Sequence, residues 1–278
     1  MGVEYPLMVK ESFVNLKMQN GKIWKHQVVE IGDNELVRYS IIMISGIPRG
    51  GENKKDYDPV NVAPLWLDGP GVTTFRSSPT GLGKSEGDTF QSTLLDRINL
   101  TVQVSLFAKE RHQNSKLIIV ASSMGGHVAI RAAAELAKQK INIEAVLLSS
   151  PCFYPDQSET ALVGDDFRSK ANIHNSGQNL ADFRAMKELI AYSGAVFAFY
   201  QEYDSDLERH GVPDIELVKK EVERAVTHRN NNKDDYFVVK GGEHSFSVDG
   251  IMPDEAVHSG TINKRETSSR ALKFLHKL

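Results

Sequence analysis

A mostly parallel β-sheet with helices on both faces is the fold class this sequence predicts, and three observations carry the prediction. Short apolar runs without alternation recur along the chain, and segments of helical period lie between them. The third is length: 278 residues suit one α/β domain, 1–278, around a single large core. The chain opens differently. Asn20-Gly21 stands between "SFVNLKMQ" and "KIWKHQVVEI", and both residues accept positive φ, which predicts a two-residue hairpin of antiparallel strands.

Six further strands follow from the runs "YSIIMISG" (39–46), "GVTTFRS" (71–77), "KLIIVASS" (116–123), "IEAVLLSS" (143–150), "GAVFAFY" (194–200) and "DYFVVKGG" (235–242). Branched residues in unbroken runs are what strands buried on both faces require. Helices are predicted where Leu95, Ile98, Val102 and Leu106 share one stripe, and where Ile215, Val218, Val222 and Val226 do so behind Pro213. The ending "SSRALKFLHKL" predicts a last helix packed through Leu272, Leu275 and Leu278. One interval breaks the rhythm: residues 151–192 separate two strands with a polar, poorly periodic stretch, which predicts an inserted cap or lid.

Composition narrows the function. With 40% hydrophobic residues, 25% charged and a net charge of -3, the chain has no basic excess for a nucleic-acid partner. The apolar runs fall far short of the ~20 residues that span a bilayer, and the start has neither a signal core nor a myristoylation pattern. A cytoplasmic protein is expected. Cys152, the single cysteine, fits a reducing compartment and is read as core filler. There is no His-Glu-x-x-His and no calcium loop, and Asp165, Asp166 and Glu202 read as solvated acids, so neither metal nor cofactor is expected.

The strongest chemical signal is "IIVASSMGGHVAIRAAAE" (118–135), where a buried strand runs through Ala121-Ser122-Ser123-Met124-Gly125 into a small-residue helix. This fits the nucleophile elbow Gly-x-Ser-x-Gly with Ala121 in place of the first Gly. The serine of such a turn occupies a strained backbone between strand and helix, so the residues two before and two after it must be small. Ala121 and Gly125 meet that demand for Ser123, whereas Met124 rules out Ser122. The turn lifts the Ser123 hydroxyl out of the sheet and aims the Met124 N–H into the same space, where it would stabilise a developing oxyanion.

This stretch resembles the elbow of the α/β-hydrolase superfamily, closest to its small serine esterase, monoacylglycerol-lipase-like and thioesterase branches. The resemblance implies an α/β-hydrolase fold over nearly the whole chain and a triad in the order serine, acid, histidine. The family pattern Gly-x-x-Asp after the next-to-last strand puts Asp204 at the acid position, with Gln201 in place of the Gly and Asp206 as runner-up. The loop "KGGEHSFS" puts His244 at the base position. The oxyanion loop His-Gly-x-Pro reads Ser45-Gly46-Ile47-Pro48, which implies the Ile47 N–H as the second donor. The implied reaction is hydrolysis of a small-molecule carboxylic ester or thioester through an acyl-Ser123 intermediate. Amide hydrolysis or acyl transfer with the same triad, and a non-catalytic binding module on the same fold, are the competing readings. Phe153, Tyr154 and Phe183 either line an acyl site or fill the core.

A rival signal lies at 78–85. "SPTGLGKS" lacks only the first Gly of the phosphate loop Gly-x-x-x-x-Gly-Lys-Ser/Thr. A phosphate cradle needs a helix beginning at Lys84-Ser85 and an acid at a later strand end for magnesium. Gly87 opposes the first, and the strand-ends "IIVASS" and "AVLLSSP" lack the second. Read on to Gly87, the stretch Gly81-Leu82-Gly83-Lys84-Ser85-Glu86-Gly87 resembles instead the hydrolase turn Gly-x-Gly-x-Ser-x-Gly.

Overall fold

The computed structural model describes residues 8–32, 37–44, 71–171, 179–203, 215–229, 231–243 and 269–278. Eight strands form one sheet: β1 (Met8–Lys17), β2 (Ile23–Gly32), β3 (Tyr39–Ile44), β4 (Val72–Ser77), β5 (Lys116–Ser122), β6 (Ile143–Ser149), β7 (Ala195–Tyr203) and β8 (Asp235–Glu243). Their order across the sheet is β1-β2-β4-β3-β5-β6-β7-β8. β2 runs antiparallel to both β1 and β4, and every pair from β4 to β8 is parallel. The helices are α1 (Leu94–Arg111), α2 (Gly125–Lys138), α3 (Asp165–Ala171), α4 (Arg184–Ala191), α5 (Ile215–Thr227) and α6 (269–277).

The unalternating runs are explained by the two cores they separate. Ile119 and Ala121 of β5 point into a large cluster with α1, α2, α4 and α5, while Ile118 and Val120 point into a second cluster closed by α6. Neighbouring side chains on a strand face opposite ways, so a sheet covered on both sides needs apolar residues at every position. Phe274 of α6 is 1% exposed against Phe197 of β7, their ring centroids 5.3 Å apart. Burying such a ring is worth about 1.5–3 kcal/mol.

Two local expectations need correction. The hairpin has a three-residue loop, Gln19 to Gly21, closed by Met18 N–H to Lys22 C=O (2.8 Å). Gly21 takes φ 81° and Asn20 does not take a positive φ, so the turn is the ordinary kind followed by a left-handed glycine, not the mirror-image turn that two residues would need. In α6 the buried stripe is Ala271, Phe274 and Leu275, with Leu278 partly covered; Leu272 is 42% exposed because it falls about 100° off that stripe.

α1 starts at a capping box in which Thr93 Oγ1 accepts from Asp96 N–H (3.1 Å) and Asp96 Oδ2 accepts from Thr93 N–H (2.9 Å). Asp96 Oδ1 also accepts from Gln19 N–H (2.9 Å), tying the hairpin loop to the helix. Of the 151–192 interval, the described part holds short 3-10 turns at Asp156–Ser158 and Leu180–Asp182 besides α3 and α4. Phe153, Tyr154 and Phe183 are buried in the larger core, and so are Ala185, Met186 and Leu189 of α4.

Candidate active site

Between the end of β5 and the start of α2 the chain turns within two residues. Ser123 takes φ 53°, one of three non-glycine residues among those described with positive φ. Such a conformation costs on the order of 1–3 kcal/mol and persists only where the surroundings hold it. Here they do. Ser123 N–H donates to Ser149 C=O of β6 (3.0 Å), and Ser123 C=O accepts from Gly126 N–H and from Cys152 N–H (both 2.9 Å). The Met124 N–H, at the threshold of α2, donates no hydrogen bond among the described residues.

The chain after β6 lies directly on the first turn of α2. A Cβ on Gly126 would fall on the Pro151 ring and 2.9 Å from Pro151 Cα, so this close approach requires glycine. Gly126 is a constraint that the elbow pattern, which stops at Gly125, does not contain. Its sequence signal was the doubled glycine. Ser150 also takes a positive φ, 43°, and the buried hydroxyls of Ser149 and Ser150 have no hydrogen-bond partner among the described residues. Cys152 is fully buried, as core filler would be, yet its Sγ also lies 3.8 Å from Ser123 Oγ.

A buried charge cluster, which sequence reasoning missed, fixes α2 to the 151–192 interval. Arg131 Nε donates to Glu159 Oε1 (2.6 Å), and its Nη1 donates to both carboxylate oxygens of Glu188 (2.5 and 2.7 Å). The Arg131 and Glu159 side chains are only 2% and 6% exposed. His127 completes the cluster. Its Nδ1 accepts from Tyr154 N–H (3.2 Å), which leaves Nε2 as the donor, and Nε2–H donates to Glu159 Oε1 (3.2 Å). Burial pushes the Glu159 carboxyl up, but the hydrogen bonds from His127 and Arg131 outweigh it and hold the group at about 2. A charge at Arg131, on the inner face of a helix, carries no sign in the sequence that its partners lie 28 and 57 residues away.

Of the expected site residues, Ser123 and Met124 are described; Ile47, Asp204, Asp206 and His244 lie outside the described residues. The strands leading to them share one edge. β3 ends at Ile44, β5 at Ser122, β7 at Tyr203 and β8 at Glu243, and all four run parallel, so their carboxyl ends gather on the same side of the sheet as Ser123. Among the described residues no group of three His, Cys, Asp or Glu side chains is set to hold a metal ion, and no helix is long and apolar enough to cross a membrane.

The glycine-rich turn after β4 is occupied by its own chain. The amides of Gly81, Leu82 and Ser85 donate to the carbonyls of Glu86, Pro79 and Leu82, and the Lys84 amide donates to Gln27 Oε1 (3.2 Å). Ser78 Oγ donates to the same Gln27 oxygen (2.8 Å), while Ser85 Oγ donates to Ser78 C=O (2.8 Å) and accepts from Gln27 N–H (2.9 Å). Lys84 Nζ reaches out to Glu11 (2.5 Å), and the next α-helix begins only at Leu94, after a 3-10 turn at Thr89–Gln91. Phosphate needs free amides at a helix start. No helix starts at this turn, and its amides at Gly81, Leu82, Lys84 and Ser85 are taken, so the structure does not support the nucleotide reading of 78–85.

Residues 47–188 match the family model described as "Serine aminopeptidase, S33". No curated protein matches the sequence. Among solved structures, Est1E from Butyrivibrio proteoclasticus, in a structure with ferulic acid bound, is 19% identical and superposes with a TM-score of 0.62 over 95% of this chain and 99% of its own. Carboxyl esterase 2 from Tuber melanosporum is 13% identical, with a TM-score of 0.61 over 99% of this chain and 87% of its own. The Pyrococcus furiosus esterase is 19% identical, with a TM-score of 0.59 over 96% and 91%.

Proposed function

The chain belongs to the serine aminopeptidase S33 family of α/β hydrolases, and from that premise we propose that it is a serine hydrolase cleaving a carboxylic ester or thioester through an acyl enzyme on Ser123. The observation that carries the proposal is the turn at 121–126: a serine held at φ 53° beside an amide at a helix start, Met124 N–H, that donates no hydrogen bond among the described residues. In this reading His244, oriented by Asp204, takes the Ser123 proton as Oγ attacks the carbonyl, and returns it to the departing alcohol or thiol. Water then cleaves the acyl enzyme by the same route. The amides of Met124 and Ile47 receive the oxyanion, a contribution of about 3–4 kcal/mol per donor in such sites. Residues 151–192 act as the cap that shapes the acyl site, resting on α2 through Arg131, Glu159 and Glu188. The esterases among the structural neighbours favour a small-molecule ester. Cys152 is the single cysteine of the chain, so no disulfide can form within it, which favours a cytoplasmic setting.

Amide hydrolysis by the same residues is the second reading, favoured by the family's own description as an aminopeptidase. Fluorophosphonate labelling with peptide mapping tests the nucleophile: the label is expected on Ser123 and absent from Ser123→Ala. A folded protein that takes no label would be a binding module. Turnover of matched p-nitrophenyl esters, thioesters and aminoacyl anilides separates ester from amide cleavage.

A further inference from the structure

One cavity is lined by none of the residues assigned to the chemistry. It holds about 670 Å³ between β1, α1, α2 and the base of the 151–192 interval, a size within the about 300–1,000 Å³ of small-molecule sites. Arg131 and Glu159 line it in their buried pair.

The charges of this cavity are matched. Lys17, Arg131 and Arg184 contribute three cations; Glu135 and Glu159 in the wall and Glu188 behind Arg131 contribute three carboxylates. Arg131 is committed to Glu159 and Glu188, and Glu135 to Lys138 (2.8 Å). A charged ligand at Arg131 or Glu135 would therefore compete with pairs already made, which leaves Lys17 as the one cation of the lining with no partner among the described residues.

Apart from the Lys17 ammonium, what the cavity leaves uncommitted among the described residues is neutral. The side-chain amides of Asn15, Asn99 and Gln103 make no hydrogen bond among the described residues, and that of Gln139 has only a long contact to Glu135 C=O (3.5 Å). Each primary amide offers two N–H donors and one carbonyl acceptor. Beside them Leu16, Leu95 and Val102 give the wall an aliphatic stretch. Neighbouring hydroxyls of a sugar both donate and accept, and its ring C–H groups seek apolar surface. We propose that this cavity binds a neutral, hydroxyl-rich ligand, a sugar of one or two rings, independently of the reading of Ser123.

Saturation-transfer NMR and titration calorimetry on the full chain test it with glucose, xylose, maltose and cellobiose, with inorganic phosphate and spermidine as charged probes. At least one sugar is expected to bind with a dissociation constant on the order of 1 mM, about -4 kcal/mol. The double variant Asn99→Ala/Gln103→Ala, changed on the outer side of α1, is expected to weaken that binding at least tenfold and leave ester turnover unchanged. Lack of binding by every sugar overturns the proposal, as does sugar binding undiminished in the double variant. Binding of phosphate or spermidine with no sugar overturns the ligand class.

Discussion

Two serine- and glycine-bearing turns follow strands of this sheet, and in sequence both resemble places where an anion could rest. After β4, the amides of Gly81, Leu82, Lys84 and Ser85 are spent within the protein, and no helix begins at the turn. After β5, the backbone of Ser123 is held from three sides, yet the next amide, Met124 N–H, stays uncommitted among the described residues and stands at a helix start. The difference teaches that a short motif specifies a backbone bend, while its chemistry depends on which donors the rest of the fold leaves over. The backing differs too: neutral hydroxyl and amide groups of Ser78, Ser85 and Gln27 brace the first turn, and a buried ion cluster braces the helix behind the second.

Substitution at the two turns should separate them most sharply in activity. Ser123→Ala is expected to lower kcat for ester hydrolysis by at least about 10³-fold, the loss typical of a removed nucleophile. Retained turnover in that variant would move the nucleophile elsewhere. Removing a partner from the ion cluster comes next. Glu159→Gln leaves Arg131 half-paired in the interior, a change worth about 3–5 kcal/mol in unfolding free energy, read from urea midpoints. The same variant alters pH dependence. The Glu159 carboxyl is depressed in the folded state to about 2, so its stabilisation is complete above the unfolded value of about 4.3 and is lost as pH falls between the two. Over that window the native protein should lose stability more steeply than Glu159→Gln. A parallel slope in the two proteins would dissociate the cluster from acid lability.

Smaller effects come from glycines of both turns and from Lys84. Gly126→Ala and Gly87→Ala each drive a Cβ into a ring, Pro151 in one case and Trp24 in the other, and Gly87 also holds φ 92°. Both should cost about 1–3 kcal/mol, but only Gly126→Ala should lower the specific activity of the folded fraction, because only it displaces the elbow. Lys84→Ala removes an exposed ion pair worth no more than about 1 kcal/mol. It should leave ester hydrolysis intact, and Mg-ATP should not shift the melting temperature of either protein.

Much of this was legible in the sequence because it is written in adjacent residues. The runs at 116–123 and 143–150 become β5 and β6, since burial on both faces leaves a pattern any window can read. The stripe Val218, Val222 and Val226 is buried in α5 for the same reason. Legibility fails where the partner is remote. The clash that makes Gly126 obligatory comes from Pro151, and the partners of Arg131 come from Glu159 and Glu188. Asn20-Gly21 failed more locally, since the dipeptide permits two loop lengths and the strand register chose the longer.

The contacts that hold Ser123 have a consequence for the order in which the protein acquires its shape. Its amide rests on Ser149 and its carbonyl on Cys152, 26 and 29 positions further along the chain. A chain still short of those residues has nothing with which to fix a left-handed serine, and closing that loop costs entropy before any contact repays it. The bend should therefore mature only when β6 docks beside β5. Pulse-labelling hydrogen exchange during refolding can check this: protection of the Ser123 amide should rise together with that of β6 and not with the early turns of α2.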